Sequence, residues 1–269
     1  MKPSKFLEIT KLAKTALQEE KNWGEDEIAK LKPPLLSGGG RQDEVLTGEG
    51  ERKAQTQSAQ SDSLNSLKSR VQSCRSCPLG ATRLNCVFGD GNPNADLMFI
   101  GEGPGFEEDH KGLPFIGKSG QLLTNVINAM GFTRETVYIA NIVKCHPMKD
   151  PSNPEKRSND RPPSAEETAA CKKYLDMQID IIKPKVIITL GSPSAKTLLP
   201  DEKESISAIR GKIREYKGIP LIPTYHPSYL IRNGCSIDKK TPDSPQAKEL
   251  KKLYWSDMKK ALALLNDNL

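Results

Sequence analysis

Cys74-Arg75-Ser76-Cys77 is a C-x2-C pair, and Cys145 and Cys171 follow at a distance. Four thiolates from three segments can close one tetrahedral or cubane metal site. Spacing alone also leaves Cys145 and Cys171 readable as buried apolar thiols, the reading that suits Cys86 and Cys235. A second constellation is Tyr225-His226-Pro227-Ser228-Tyr229-Leu230-Ile231-Arg232, which puts a histidine, large apolar residues and an arginine where an apolar run ends. Taken alone it is either a turn with a hydrogen-bonded imidazole or a ligand-facing strand end.

Three more segments carry polar chemistry beside apolar runs. Gly101-Glu102-Gly103-Pro104-Gly105 lets the backbone approach a ligand closely and leaves amides free to bind it. It has neither the Lys-Ser/Thr of a phosphate-binding loop nor the GxGxxG spacing of a dinucleotide fold, which argues against a nucleotide cofactor. Glu107, Glu108 and Asp109 follow, either as a solvated acidic turn or as groups that position a water. Phe115, between Pro114 and Gly117, sits in a loop where it can plug the domain edge or stack on a base. Asn141 lies within Val137–Val143, and an unpaired buried amide there would cost about 1–3 kcal/mol. A carboxamide offers an acceptor and a donor side by side, so its partner is either protein or a base edge such as the N3–H and O4 of uracil.

The elements that position these groups read as an α/β domain. Apolar runs at 95–100, 137–143, 185–190 and 221–225 alternate with helical patterns, predicting a three-layer α/β/α sandwich around a mainly parallel sheet of about four strands. Ser119 to Met130 is one amphipathic helix, stopped by Gly131. Ser164-Ala165-Glu166-Glu167 is a capping box opening a helix that reaches Ile182. Ser192 to Leu199 is a shorter helix, and Ser244 to Leu265 a terminal one with Leu250, Leu253, Tyr254, Met258, Leu262 and Leu265 turned inward. Residues 1–62 form a separate extension: a short amphipathic helix over Lys5 to Glu20, then a flexible linker from Ser37 to about Asp62, poor in large apolar side chains. Residues 63–269 are the α/β domain.

Residues 1–62 carry 10 Lys/Arg against 11 Asp/Glu, so of the whole chain's formal charge of +6 the remainder holds +7, from 30 Lys/Arg against 23 Asp/Glu. A basic folded part suits a polyanionic partner, though surface lysines also serve solubility. No apolar stretch reaches signal-peptide or membrane-span length, which predicts an intracellular, cytoplasmic protein without a membrane. Six cysteines in such a chain indicate thiols, metal ligands or a cluster rather than a disulfide framework.

Seven segments in order resemble the family 4 uracil-DNA glycosylases, the iron–sulfur members of the uracil-DNA glycosylase superfamily. They are CRSCPLG, GEGPGFEED, GLPFIGKSGQLL, YIANIVKC, the RPPSAEE helix to Cys171, VIITLG and HPSYLIRN. The resemblance runs from about Cys74 to the terminal helix and leaves residues 1–62 outside. It implies a [4Fe–4S] cluster on Cys74, Cys77, Cys145 and Cys171, with zinc as the lesser alternative for four thiolates. It further implies a flipped uracil stacked on Phe115, read by Asn141 and faced at O2 by His226. Leu230 would enter the duplex, and Arg232 would hold phosphate. The implied reaction is hydrolysis of the N-glycosidic bond of uracil in single- or double-stranded DNA, the opening step of base-excision repair, by a nucleoid-associated monomer.

In family 1 relatives the glycine loop supplies an aspartate to the water, whereas the matching place here is Gly103; Glu102 and Glu108 become the candidates for that role. Gly105 likewise replaces the bulky residue that excludes thymine, which leaves exclusion to the region of Glu108. Residues 150–157 look like an insertion between two cluster ligands, expected to be an exposed excursion whose basic side chains meet DNA. Uracil-DNA-binding relatives that act covalently carry a reactive histidine hereabouts, and none follows Lys156-Arg157-Ser158. A non-catalytic module that recognises a damaged base, and a zinc-bound α/β protein without a nucleic-acid role, are the competing readings.

Overall fold

The structure, a computed structural model, describes residues 48–238 and 242–267. Six strands form one sheet in the order β1-β3-β2-β4-β6-β5: β1 Asp90–Gly91, β2 Leu97–Gly101, β3 Tyr138–Asn141, β4 Val186–Leu190, β5 Arg214–Tyr216 and β6 Ile219–Thr224. β3, β2, β4 and β6 are the four parallel strands expected from the apolar runs. The two short edge strands pair antiparallel and bring the total to six rather than four. Side chains along β2 alternate between two cores. Leu97 and Phe99 pack with helices α4 (Lys118–Ala129) and α9 (Pro245–Asp267), whereas Met98 and Ile100 pack with α1 (Gly48–Gln72) and α5 (Ala165–Ile182). Each central strand is therefore buried on both faces, which is why it reads as a continuous apolar run.

The expected helix at Lys5 to Glu20 and the linker up to residue 47 lie outside the described residues. From Gly48 the linker expectation is overturned, because Gly48–Gln72 is one helix and the boundary set at residue 62 falls within it. Leu64, Leu67 and Val71, spaced three and four apart, are buried in the α5-side core, and Gln60 donates to the Ile181 carbonyl at 3.0 Å. Docking of this apolar stripe supplies what composition did not show. The capping box at Ser164 and Glu167 forms as expected. On α9, Tyr254, Met258 and Leu265 face inward, but Leu253 is 38% exposed and Trp255 is buried in its stead.

The remaining helices are short: α2 Leu79–Thr82, α3 Phe106–Lys111, α6 Ser192–Leu198, α7 Ile206–Ile209 and α8 Pro227–Arg232. The chain passes from β2 to β3 on one side and then crosses back to β4 on the other. Such a reversal opens a crevice at the carboxyl ends of the strands. Register places the groups there. Gly101 pairs with Asn141 across β2 and β3, and Leu190 pairs with Thr224 across β4 and β6, so the turn at Gly191 meets the segment leading to His226.

Candidate active site and cysteine cavity

An open cleft of about 860 Å³ lies at these strand ends, lined by Glu102, Gly103, Phe115, Asn141, His226 and Arg232 among others. Asn141 is 1% exposed, and its Oδ1 has no hydrogen-bond partner among the described residues. A buried amide oxygen in that condition is costly unless a ligand donor reaches it. Phe115 covers the same spot. A Cβ built on Gly101 would stand 2.4 Å from both Asn141 Oδ1 and Phe115 Cζ, so only glycine lets amide and ring share this corner.

Phe115 has φ 51, an uncommon left-handed conformation for a side chain of its size. The surrounding contacts hold it there. Arg134 donates to the carbonyls of Phe115 at 3.0 Å and Pro114 at 2.8 Å. Gly120 lets α4 press against the loop, since its Cβ would overlap the Phe115 carbonyl. Glu108 accepts from the amides of Ile116 at 2.9 Å, Gly117 at 3.0 Å and Gly105 at 3.2 Å. Both of its carboxylate oxygens are thus spent on backbone amides. Glu108 ties the glycine loop to the Phe115 loop, which corrects its candidacy for activating water.

Glu102 differs. It is half-buried at the cleft wall with no hydrogen bond or ion pair to its side chain among the described residues, and burial raises its carboxyl above the ordinary range. Gly103 packs against Val143, whose Cγ2 would lie 2.8 Å from an added Cβ.

His226 is the N-cap of α8, and its ring centroid lies 5.7 Å from that of Phe115. The Ser228 amide donates to Nδ1 at 3.1 Å, and the Ser228 hydroxyl lies 2.8 Å from the same atom. Arg232 Nη1 donates to that hydroxyl oxygen at 2.9 Å, which directs the hydroxyl proton to Nδ1. With Nδ1 an acceptor, the ring proton sits on Nε2. Burial, assisted by the Arg232 charge, lowers the imidazole pKa to about 4, so the ring is neutral near pH 7. Arg232 itself is exposed at the cleft. Leu230 is not. It is fully buried in the α4/α9-side core, so the expectation that it enters a duplex is overturned, because an inward-facing core position cannot reach out. The exposed large apolar side chain of α8 is Tyr229, stacked on Tyr225 at 4.8 Å.

Cys74, Cys77, Cys145 and Cys171 line a single cavity, together with Arg83, Lys144 and Tyr174. They come from the segment between α1 and α2, the residues after β3 and the first turns of α5. Cys86 and Cys235 lie outside that lining. Arg83 donates to Cys145 Sγ at 3.1 Å, and Tyr174 OH to Cys74 Sγ at 3.3 Å. Burial pushes the Cys145 thiol up to about 12 and also raises Cys171. At Cys74 burial is outweighed by hydrogen bonds from Ser76 and Tyr174, and the thiol is lowered. Among the described residues no group of three such side chains is placed to hold a single metal ion, whereas the four thiols surround one cavity.

Two groups here were missed. Lys144 is fully buried, donating to the Asn141 carbonyl at 2.7 Å and Gln178 Oε1 at 2.5 Å, which links the cysteine cavity to the amide of the cleft. The other is His146, 1% exposed between Asp109 at 3.5 Å and Asp160 at 2.6 Å; although burial opposes it, these carboxylates raise its pKa to about 9. A lysine and a histidine beside a cysteine carry no readable pattern of burial in sequence.

The insertion is an exposed loop with a closed neck. Met148 bridges Asp160, and buried Asn159 donates to the carbonyls of Asp150 and Asn153. Arg157 lies 4.9 Å over the Phe106 ring, pairs with Glu107 and lines the cleft.

The parallel-sheet crevice brings together a glycine loop, an aromatic ring, an orphaned amide and a neutral imidazole, and residues 88–259 match the Uracil DNA glycosylase superfamily. The similarity extends to Type-4 uracil-DNA glycosylases of several organisms. The one from Thermotoga maritima is 40% identical over 200 residues, 74% of this chain and 93% of the relative. That of Sulfurisphaera tokodaii is 44% identical over 64% of this chain and 77% of its own, and that of Archaeoglobus fulgidus 38% over 63% and 84%. The chain belongs to the uracil-DNA glycosylase superfamily, in its type-4 family.

Proposed function

We propose that this protein excises uracil from DNA by hydrolysing its N-glycosidic bond, leaving an abasic site. The observation that carries the reading is the unpartnered Asn141 Oδ1, buried in a cleft between Phe115 and His226. That oxygen suits the N3–H of uracil, with the amide nitrogen turned to O4; cytosine presents the opposite order. Phe115 stacks on the extruded base. His226, held neutral, donates from Nε2 to O2, where negative charge collects as the bond to the sugar breaks. A neutral donor suits this work because it does not have to be desolvated as a cation.

Arg232 and the exposed basic residues of the rim hold phosphates and give affinity without sequence preference. Tyr229, preset by Tyr225, takes the duplex-facing place first assigned to Leu230. The same pocket serves single strands, which spare the cost of unpairing.

Four thiols around one cavity, with Arg83 and Lys144 offsetting negative charge, fit a [4Fe–4S] cluster. A zinc ion would draw the sulfurs to about 2.3 Å of one point. The cluster would cross-link α1, β3 and α5 and takes no part in the hydrolysis described. Incubation with an oligonucleotide carrying one uracil tests the reading: alkali-labile cleavage at that position is expected, and tight binding without cleavage would instead establish a recognition module.

A further inference from the structure

Asp109, His146 and Asp160 form a line of polar side chains running from the interior to the cleft. Asp109, on α3, is completely buried; its carboxylate accepts from the amides of Leu84 and Asn85, both at 3.1 Å, and stands 3.5 Å from His146 Nδ1. Nε2 of His146 is 2.6 Å from Asp160 Oδ1. Asp160 is the far end, with its side chain 57% exposed at the wall of the cleft that holds Gly103, Asn141 and His226. Its Oδ2 has no partner among the described residues. A Cβ on Gly105 would lie 3.8 Å from both Asp160 oxygens, so the carboxylate faces the glycine loop across a space that a side chain there would fill.

We propose that Asp160 holds the attacking water during uracil excision, with His146 and Asp109 as positioning residues that fix its carboxylate. The inference rests on the uracil-excision reading above. An aspartate on a loop would normally sample several rotamers. One clamped through Oδ1 by a buried imidazole presents Oδ2 in a single direction, the preorganisation that makes a water an effective nucleophile. The negative charge also favours the positive charge that develops on the sugar.

The step balances within the cleft. The C1′–N1 bond breaks with its electron pair going to uracil, steadied at O2 by His226. The water oxygen forms the new bond to C1′, and its proton passes to Asp160 and then to solvent, while the uracil anion takes up a proton from solvent. Exposure of Asp160 provides that exit. The absence of an aspartate at Gly103 is thereby made good from a different segment of the chain.

Single-turnover release from a uracil oligonucleotide, measured on the full chain with its visible cluster absorption intact, tests the assignment. Asp160→Asn should slow release by about 100-fold or more, the range for a group that handles a proton in the transition state. Binding to DNA containing 2′-fluoro-deoxyuridine, which resists hydrolysis, should stay within about 3-fold of the unmodified protein. Formate should restore part of the rate to Asp160→Ala, and Asp160→Glu should retain more activity than Asp160→Asn. The proposal is overturned if Asp160→Asn releases uracil at the normal rate, or if Glu102→Gln takes the loss in its place. It is also overturned if the loss comes with equally weakened analogue binding and no response to formate, the signature of a structural role. No release by the unmodified protein would sink the parent reading and this assignment together.

Discussion

The rings of Phe115 and His226 lie 5.7 Å apart, tilted by 35°, and Asn141 lies beside the Phe115 ring at Gly101. One side chain offers a stacking face, another a donor, and the third a base-edge pattern. Phe115→Ala should weaken binding to the uncleavable uracil analogue by about 10- to 100-fold, the range for one base–aromatic contact. Fluorescence anisotropy would measure it, and unchanged affinity would show that the ring is only a plug.

Gly101→Ala is expected to be more damaging than its size suggests. The added Cβ would stand 2.4 Å from both Asn141 Oδ1 and Phe115 Cζ, so one or both must move. Uracil release should fall by about 100-fold or more, since misplacement of about 1 Å is enough for such losses. A melting temperature and cluster absorption near those of the unmodified protein would locate the defect in the pocket.

The pH dependence of release follows from the solvation of His226. Its folded pKa of about 4 lies below the ordinary histidine range, so the neutral donor form persists as pH falls through 6.5. kcat/KM should therefore show no acidic break near pH 6.5 from this group. The unfolded chain does take up that proton near 6.5, so this residue's contribution to stability is complete above 6.5 and declines between 6.5 and about 4. A break near 6.5 that disappears in His226→Gln would contradict the neutral-donor mechanism.

Cys171→Ala and Cys74→Ala should each lower bound iron and sulfide and the melting temperature together, because both thiols line the cavity between α1 and α5. Cys235→Ala should leave iron content unchanged, since that thiol lies near the Ala247 carbonyl in the opposite core. Elemental analysis distinguishes the two outcomes, and stoichiometric zinc with no sulfide would refute the cluster.

The four parallel strands were legible because burial on both faces leaves an unbroken apolar run, as in Leu97–Gly101 and Val186–Leu190. Asp90–Gly91 and Arg214–Tyr216 were not: strands of two and three half-exposed residues have no periodicity to read. On short α8 the sequence could not show which of Tyr229 and Leu230 faces out, and the core took Leu230. The pocket was readable where a polar residue interrupted an apolar run, as at Asn141. Glu108 was found as an acidic side chain, but its role depends on amides in a loop eight and nine residues away. His146 and Asp160 stand fourteen positions apart, on either side of the 150–157 insertion, and only the fold makes them neighbours.

The bridge between Met148 and Asp160 lets the chain depart and return at one point. Residues 150–157 therefore behave as an exchangeable cassette. The segment can lengthen, shorten or change its charge while the thiol before it and the helix after it keep their spacing.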